Sequence, residues 1–248
     1  MIALYRLLAL AAFLLLWWLA ATFSGTALIP TPVETLVAGR AMVADGRLWT
    51  ALGESLAVYG SGYLLAIAAG VPVGLLMGGF RPLGRTLDIY VNALTATPRV
   101  AFIPLIIVLL GLGYEAKVAI VFLGAVMPIV INTYAGVLNA DGELVEMARA
   151  AGATKAQVFR RILLPGALPF IVVGLRLGAT IGLINTVVAE LYTAVRGLGG
   201  LLAIYGNTFQ MAPYFVVVLV LAGIGTLVTT AIRQIEARTE RWRYDGNG

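Results

Sequence analysis

The sequence predicts an all-α integral membrane protein with six transmembrane helices. Three observations lead to this fold class. The composition is 60% hydrophobic and 12% charged, the mean hydropathy is +0.96, and long uncharged segments alternate with short polar ones. Soluble domains carry about 25% charged residues. A soluble globular protein is therefore excluded, and residues 1–248 are expected to form a single transmembrane domain.

The N-terminal part of the sequence predicts one span and one helix at the membrane surface. Residues 7–23 are uncharged and just long enough to cross a bilayer. This run exceeds the apolar core of a signal peptide and no clear cleavage site follows it, so we expect it to be retained. Residues 29–53 are too polar to span. Within them, Thr31 to Glu34 has a capping-box pattern with proline at the first helical position, and Asp45-Gly46 is expected to end that helix.

The rest of the chain predicts five more spans. Residues 1–53 thus hold the first span and an outer interfacial helix, and residues 55–248 a five-span core. The five expected spans are Ser55–Phe80, Leu87–Leu112, Val118–Val137, Ala167–Leu191 and Pro213–Ile232. Glycines in the first of them permit close helix approach, namely Gly60, Gly62, Gly70, Gly74 and Gly78. Gly197 to Asn207 is glycine-rich and is expected to be re-entrant or loop-like.

The basic residues predict the orientation of the chain. With six spans and a cytoplasmic N-terminus, the cytoplasmic segments contain Arg6, Arg81, Arg85, Arg149, Lys155, Arg160, Arg161, Arg233, Arg238, Arg241 and Arg243. The outer segments contain only Arg40, Arg47, Lys117 and Arg196. An excess of lysine and arginine marks cytoplasmic loops. Both termini are therefore expected in the cytoplasm, together with the polar loop at residues 139–165.

This polar loop predicts two short helices joined by a turn. Charged side chains are frequent in it, and each would cost about 3 kcal/mol in a bilayer, so the loop is expected in water. Asp141 can cap the first helix, and Gly152 can adopt the left-handed conformation that ends it. Thr154 to Gln157 has the capping-box pattern for the second helix, which Pro165 is expected to stop. These residues alone leave two alternatives open, an amphipathic hairpin resting on the membrane or bundle, and a docking element for a soluble partner.

The loop resembles the EAA motif of the permeases of binding-protein-dependent ABC importers, E-A-A-x3-G-x9-I-x-L-P. The matching positions are Glu146, Ala148, Gly152, Ile162, Leu164 and Pro165. Met147 replaces the first alanine. Other segments, from Ile29 onward, are similar to the nitrate, sulfonate, taurine and pyrimidine-precursor branch of these permeases. They include Ile29–Pro32, Gly70–Gly74, Thr97-Pro98, Ile103–Leu105, Gly111–Gly113, Asn132-Thr133, Gly136-Val137, Gly174–Arg176, Ala189-Glu190 and Gly197–Gly199. The chain departs from the branch at Asp88, where a proline often follows and Ile89 stands here.

The resemblance implies the permease subunit of a type I ABC importer in a bacterial inner membrane. Two copies, expected to be identical, would line a pathway through the lipid bilayer for a small solute, anionic or pyrimidine-like. An extracytoplasmic binding protein would deliver the solute, and two cytoplasmic ATPases would hold the ATP and Mg²⁺. The residues implied in coupling to the ATPases are Glu146, Met147, Ala148, Gly152, Ala153, Thr154, Ile162, Leu164 and Pro165.

The sequence has few groups suited to catalysis. It contains no cysteine and no histidine, which removes thiolate and imidazole metal sites and the common nucleophile–base pairs. It also has no phosphate-binding G-x-x-x-x-G-K-[ST] segment. We therefore expect neither an enzyme nor a metal site, and the energy for transport would come from another subunit. The basic residues are not gathered with aromatic ones, so no nucleic acid partner is expected.

Polar residues within the predicted spans are candidates for a substrate pathway, because such residues are costly in a membrane and often face a cavity. They are Arg99, Asn132, Thr133, Arg176, Asn185 and Glu190. Each also has a structural explanation, such as snorkelling, a hydrogen bond between helices, or solvation at the interface.

A gradient-driven secondary transporter or channel is the alternative function. It would require an intramembrane relay of ionisable residues and repeated halves with broken helices. Neither paired carboxylates nor a repeat is visible in the sequence.

Overall fold

The computed structural model of the chain describes residues 2–24, 28–193 and 196–244, and this part of the chain is almost entirely helical, without strands. The helices are α1 (Ile2–Ser24), α2 (Pro32–Ala44), α3 (Arg47–Gly79), α4 (Arg81–Ala96), α5 (Ile103–Leu110), α6 (Tyr114–Leu138), α7 (Gly142–Ala150), α8 (Lys155–Val158), α9 (Leu164–Thr193), α10 (Gly197–Asn207) and α11 (Met211–Tyr244). A 3₁₀ turn, Arg99–Phe102, joins α4 to α5, and a π-helical turn, Phe159–Leu163, joins α8 to α9.

Five of the described helical segments are long and apolar enough to cross a membrane, and the pair α4 and α5 adds a sixth if it is counted as one span. This pair bends by 86°. Thr97 leaves the helical conformation, with φ −75° and ψ 131°, because the ring of a following proline disfavours helix at the preceding residue. The predicted all-α, six-span class is therefore confirmed, with a broken third span.

The helix predicted after the first span is present, and its place at the outer interface stays a prediction, while the helix of the second span begins earlier than the predicted Ser55. Thr31 and Glu34 form the expected capping box of α2, with Pro32 in its first turn. The next helix, α3, begins at Arg47 instead of Ser55. Asp45 accounts for the earlier start, since its carboxylate accepts a hydrogen bond from the Arg47 N–H at 3.0 Å and caps the new helix.

Two further expectations are wrong. Pro165 does not stop a helix, because α9 begins at Leu164 and continues through it to Thr193. The Leu164 N–H donates to the carbonyl of Phe159, five residues back. This is a π turn, and the helix continues from it through the proline. Of the two alternatives for Gly197 to Asn207, the loop-like one is wrong, because these residues form the helix α10, whose N-terminus is stabilised by hydrogen bonds to distant residues.

The described helices form two compact units. One consists of Met1–Leu56 and Glu190–Ile224. In this unit the Trp17 indole donates to the Pro30 carbonyl at 2.9 Å and stacks on Phe215 with a centroid distance of 5.8 Å. Leu198 and Val217 are fully buried.

The other unit consists of Ala57–Ala189 and Gly225–Gly248, and α6 lies at its centre. Glycines of α3 face α6 so closely that a side chain at any of them would meet α6 at under 3 Å. The facing pairs are Gly62 with Val121, Gly70 with Ile129, Gly74 with Thr133 and Gly78 with Val137. Four of the five predicted glycines therefore have the expected role, while Gly60 faces open space.

Candidate coupling loop and buried polar residues

The first half of the polar loop is shaped by local hydrogen bonds. The Asp141 carboxylate accepts from the N–H groups of Glu143 and Leu144, at 2.9 and 3.3 Å, and caps α7. Gly152 has φ +81°. Around it, the Gly152 N–H donates to the Arg149 carbonyl and the Ala153 N–H to the Ala148 carbonyl, both at 2.9 Å. These two bonds are the Schellman motif, which requires a left-handed residue where glycine stands.

The second half of the loop is fixed to the helical bundle. Thr154 and Gln157 form a reciprocal capping box, in which the Gln157 side chain accepts from the Thr154 N–H at 2.8 Å. Val158 is 3% exposed, and the Phe159 ring packs on Gly79 of α3. Leu163 packs on a cluster of buried residues. From Lys155 to Thr193 the chain then forms one continuous helical segment.

The surface of the loop combines charge with exposed apolar side chains. Leu144 is 45% exposed and Met147 is 64% exposed on α7, and Glu146 is also exposed. A groove of about 360 Å³ opens between the two halves of the loop. It is lined by Ala148, Ala151, Gly152, Ala153, Gln157, Val158, Arg161 and Ile162. Of the other predicted coupling residues, Leu164 is half-buried and Pro165 and Thr154 are exposed.

Removing the capping box is expected to loosen the second half of the loop. The change Thr154→Ala deletes a helix cap worth about 1 kcal/mol, so hydrogen exchange of the amides at 155–158 is expected to speed up about fivefold. Thr86→Ala is the matched control, because that threonine is exposed and bonds only within its own helix. Unchanged exchange in Thr154→Ala would show that packing alone holds the loop.

Two of the predicted pathway residues, Arg99 and Asn185, line the same small cavity. The Arg99 guanidinium donates to the Gly124 carbonyl of α6 at 2.9 Å. Asn185 of α9 is buried, and its amide occupies the space that a side chain at position 124 would need. The cavity next to them measures about 10 Å³, roughly the room that one water requires. This cavity is therefore too small for an organic solute.

The polar residues Asn132, Thr133 and Arg176 have different surroundings. The Asn132 amide donates to the Pro128 carbonyl within its own helix at 2.8 Å. Thr133 is fully buried against Gly74, and its hydroxyl has no hydrogen-bond partner within the described part of the chain. Arg176 is half-buried in α9.

Glu190 lies in a buried cluster at the N-terminus of α10. The Ser55 hydroxyl lies 2.8 Å from both Glu190 carboxylate oxygens and donates to them. The Gly199 N–H donates to the Glu190 carboxylate and the Leu198 N–H to the Ser55 hydroxyl oxygen, each at 2.8 Å. The Glu54 carboxylate accepts from Gly197 at 2.9 Å. Three N–H groups that a helix start leaves unpaired thus all have acceptors, which explains why this glycine-rich segment is helical.

The cluster also requires glycine at position 197. Gly197 has φ +86°, and a side chain there would collide with the Glu190 carboxylate. Sequence reasoning found Glu190 and the glycines but missed Glu54 and Ser55. These residues lie far from α10 in the chain, so no local pattern links them to it.

A charged cavity of about 320 Å³ lies beside this cluster. Among the residues that line it are Asp45, Arg47, Glu54 and Arg196. The Arg47 guanidinium donates to Asp45 at 2.7 Å and to the Tyr205 hydroxyl at 3.2 Å. The hydrogen bond from the Arg47 side chain holds the pKa of the Asp45 carboxyl below its usual value. Both signs of charge are therefore displayed at this opening.

Comparison with known proteins decides the family. Residues 70–241 match the model of the binding-protein-dependent transport system inner membrane component. The chain belongs to this family of ABC transporter permeases. This permease is 31% identical to the taurine transport system permease protein TauC of Escherichia coli over 94% of its own length and 87% of that protein. It is 30% identical to a putative aliphatic sulfonates transport permease protein, SsuC, of Bacillus subtilis, with 88% and 80% covered.

A solved structure supports the same assignment. The permease matches a chain of the MetNI methionine ABC transporter, in an inward-facing conformation, with a TM-score of 0.66 and 26% identity over 75% of this chain and 93% of that one. The predicted fold and family are therefore confirmed: the chain is a multi-pass membrane permease of the type I importer class. It is a transport subunit and not an enzyme, and it works with separate ATPase and substrate-binding partners.

Proposed function

We propose that two identical copies of this permease line a pathway for a small organic anion such as a sulfonate, and that residues 139–165 couple it to two ATPases. ATP and Mg²⁺ would bind to the ATPases, and both termini of the permease would lie in the cytoplasm with this loop. The alternative, a gradient-driven transporter, is not favoured, because the relatives are permeases of ABC transporters.

The observation that carries the coupling proposal is the pair of exposed apolar residues on α7. Leu144 and Met147 lie three residues apart and are 45% and 64% exposed. Apolar side chains displayed at this spacing on a short helix fit a groove on a partner protein. Glu146 lies between them in the sequence, and its charge would orient the docked helix. The loop would thus offer one helix to each ATPase.

The connection of the loop to the spans supports mechanical transmission. Val158 and Leu163 anchor the second half of the loop in the packed bundle, and the helical segment then runs without a break to Thr193. When a closing ATPase dimer displaces α7, the segment from α8 to α9 would therefore move with it as one rigid helix. Rigid-body rocking of this kind would open the pathway alternately to the two sides of the membrane.

The substrate proposal rests on the relatives. TauC and SsuC are described as permeases for taurine and for aliphatic sulfonates, and a third relative, ThiX of Halalkalibacterium halodurans, as one for formylaminopyrimidine. Arg176 and Asn132, which are half-buried, would line the path between the two copies, whereas Thr133 is buried between α3 and α6. The charged opening at Arg47 and Arg196 would contact the binding protein. The solute itself would be chosen mainly by that binding protein.

Native mass spectrometry tests the assembly. The tagged permease, extracted gently from membranes of its source cell, is expected to give a mass of two copies plus two ATPase subunits. Membranes washed with ATP and orthovanadate should retain the binding protein as well, and its bound ligand then names the substrate. A lone chain, stable across several detergents without an ATPase, would contradict the coupling proposal. Uptake that ignores loss of cellular ATP would favour the gradient-driven alternative.

A further inference from the structure

The contact between Arg99 and α6 involves an unusual backbone position. In an α-helix, each carbonyl accepts a hydrogen bond from the N–H group four residues later. The carbonyl of Gly124 would accept from residue 128, but that residue is Pro128, inside α6. Proline has no N–H group. The Gly124 carbonyl is therefore without its helical donor, and it is this carbonyl that the Arg99 guanidinium reaches at 2.9 Å.

We infer that Arg99 is a positioning residue, which supplies the donor that Pro128 lacks and thereby fastens the break in the third span to α6. This inference goes beyond the proposed function, because it assigns Arg99 to the framework of the permease and not to recognition of an anionic solute. It also does not depend on which solute is carried.

Arg99 lies at the break of the third span, so its contact with α6 holds the break itself. Arg99 is the first residue of the 3₁₀ turn between α4 and α5, where the two helices meet at 86°. Four residues later, Ile103 is 1% exposed and packs with Ile120 of α6. The turn is thus held on α6 by one polar and one apolar contact. The polar contact is charge-assisted and sits in a partly buried place, where hydrogen bonds of this type are strong.

Gly124 is the residue that makes room for this arrangement. A side chain at position 124 would occupy the place of the Asn185 amide. Because Gly124 has no side chain, Asn185 of α9 and Arg99 can both approach the same turn of α6. Within the described residues, the cavity beside them is about 10 Å³. A carboxylate or sulfonate has no room there, which agrees with a framework role for the guanidinium.

A double-mutant cycle tests the inference on the complete transporter, purified with its ATPase. Arg99→Met is expected to lower the apparent melting temperature by about 4–8 °C, since it leaves a carbonyl unpaired in a helix. Pro128→Ala restores an N–H group at position 128. In that background, the same Arg99→Met change is expected to lower the melting temperature by under about 2 °C. The yield of folded protein should recover in parallel if Arg99→Met alone folds poorly.

Two controls separate this role from others. Pro72 is also a proline inside a helix, α3, so Pro72→Ala should leave the full effect of Arg99→Met in place. Arg99→Gln keeps a donor but no charge, and it should retain more than half of the stability that Arg99→Met loses. Equal losses from Arg99→Met with and without the Pro128→Ala change would overturn the inference. So would rescue by Pro72→Ala, which would indicate a general gain in helix stability.

Discussion

Valine in place of Gly152 is expected to uncouple the permease from its ATPases while the spans stay folded. Gly152 has φ +81°, and a side chain there would meet nothing within 4 Å. The penalty is therefore one of backbone conformation, about 1–2 kcal/mol for an L-residue in the left-handed region and at the upper end for a β-branched one. That strain would reduce the population of the native turn about fivefold to thirtyfold.

Measurement of this effect has two parts. Co-purification of the ATPase and ATP-driven transport should each fall about tenfold in Gly152→Val, whereas the permease should stay folded, with a melting temperature lower by about 2–8 °C. Gly152→Asn is the conservative comparison, because asparagine tolerates the left-handed conformation, and it should keep most of the activity. Gly142→Ala is the matched control in the same loop, since Gly142 also faces open space but lacks a positive φ. Full transport by Gly152→Val would mean that the turn geometry does not matter for coupling.

Leucine in place of Glu190 is expected to give the largest loss of stability. Glu190 is 1% exposed, and its carboxylate accepts from the Ser55 hydroxyl and the Gly199 N–H. Leucine would leave both donors buried and unpaired, at about 1–3 kcal/mol each. We expect the melting temperature to fall by roughly 10 °C and the amides of α10 to exchange at least tenfold faster.

Two milder variants calibrate this result. Glu190→Gln keeps one acceptor oxygen and should lose about half as much stability. Glu54→Gln changes a carboxylate that accepts only from Gly197 within the described cluster and pairs weakly with Arg196 at 3.8 Å, so its effect should stay below about 1 kcal/mol. If Glu190→Leu unfolds at the same temperature as the unmodified permease, the cluster does not hold α10.

Features set by neighbouring residues could be predicted from the sequence. The caps at Thr31, Asp141 and Thr154 and the left-handed Gly152 each depend on a few adjacent positions, and all four occur as predicted. The apolar runs likewise predicted the spans, because the bilayer length fixes how many residues are needed. Recognition of the permease family rested on the loop motif at Glu146 to Pro165.

Features set by contacts across the chain could not be predicted. The glycines of α10 disfavour a helix locally, and its N-terminus is stabilised by Glu54, Ser55 and Glu190, which come from other parts of the chain. Similarly, Pro165 predicts the end of a helix, and no local pattern indicates the π turn before it that lets the helix continue. The role of the coupling residues remains a prediction for experiment to test.

The row of glycines between α3 and α6 has a consequence for how the permease moves. At Gly62, Gly70, Gly74 and Gly78 the backbone of α3 lies directly against β-branched side chains of α6, with no α3 side chain between them. β-branched side chains have few rotamers to rearrange, so the two helices are expected to move together as one rigid strut. During a transport cycle α4 would then swing relative to this strut about the break between α4 and α5, where the chain already turns by 86° and Arg99 holds it on α6. In spin-label distance measurements, the α3–α6 spacing should stay constant while distances across that break change.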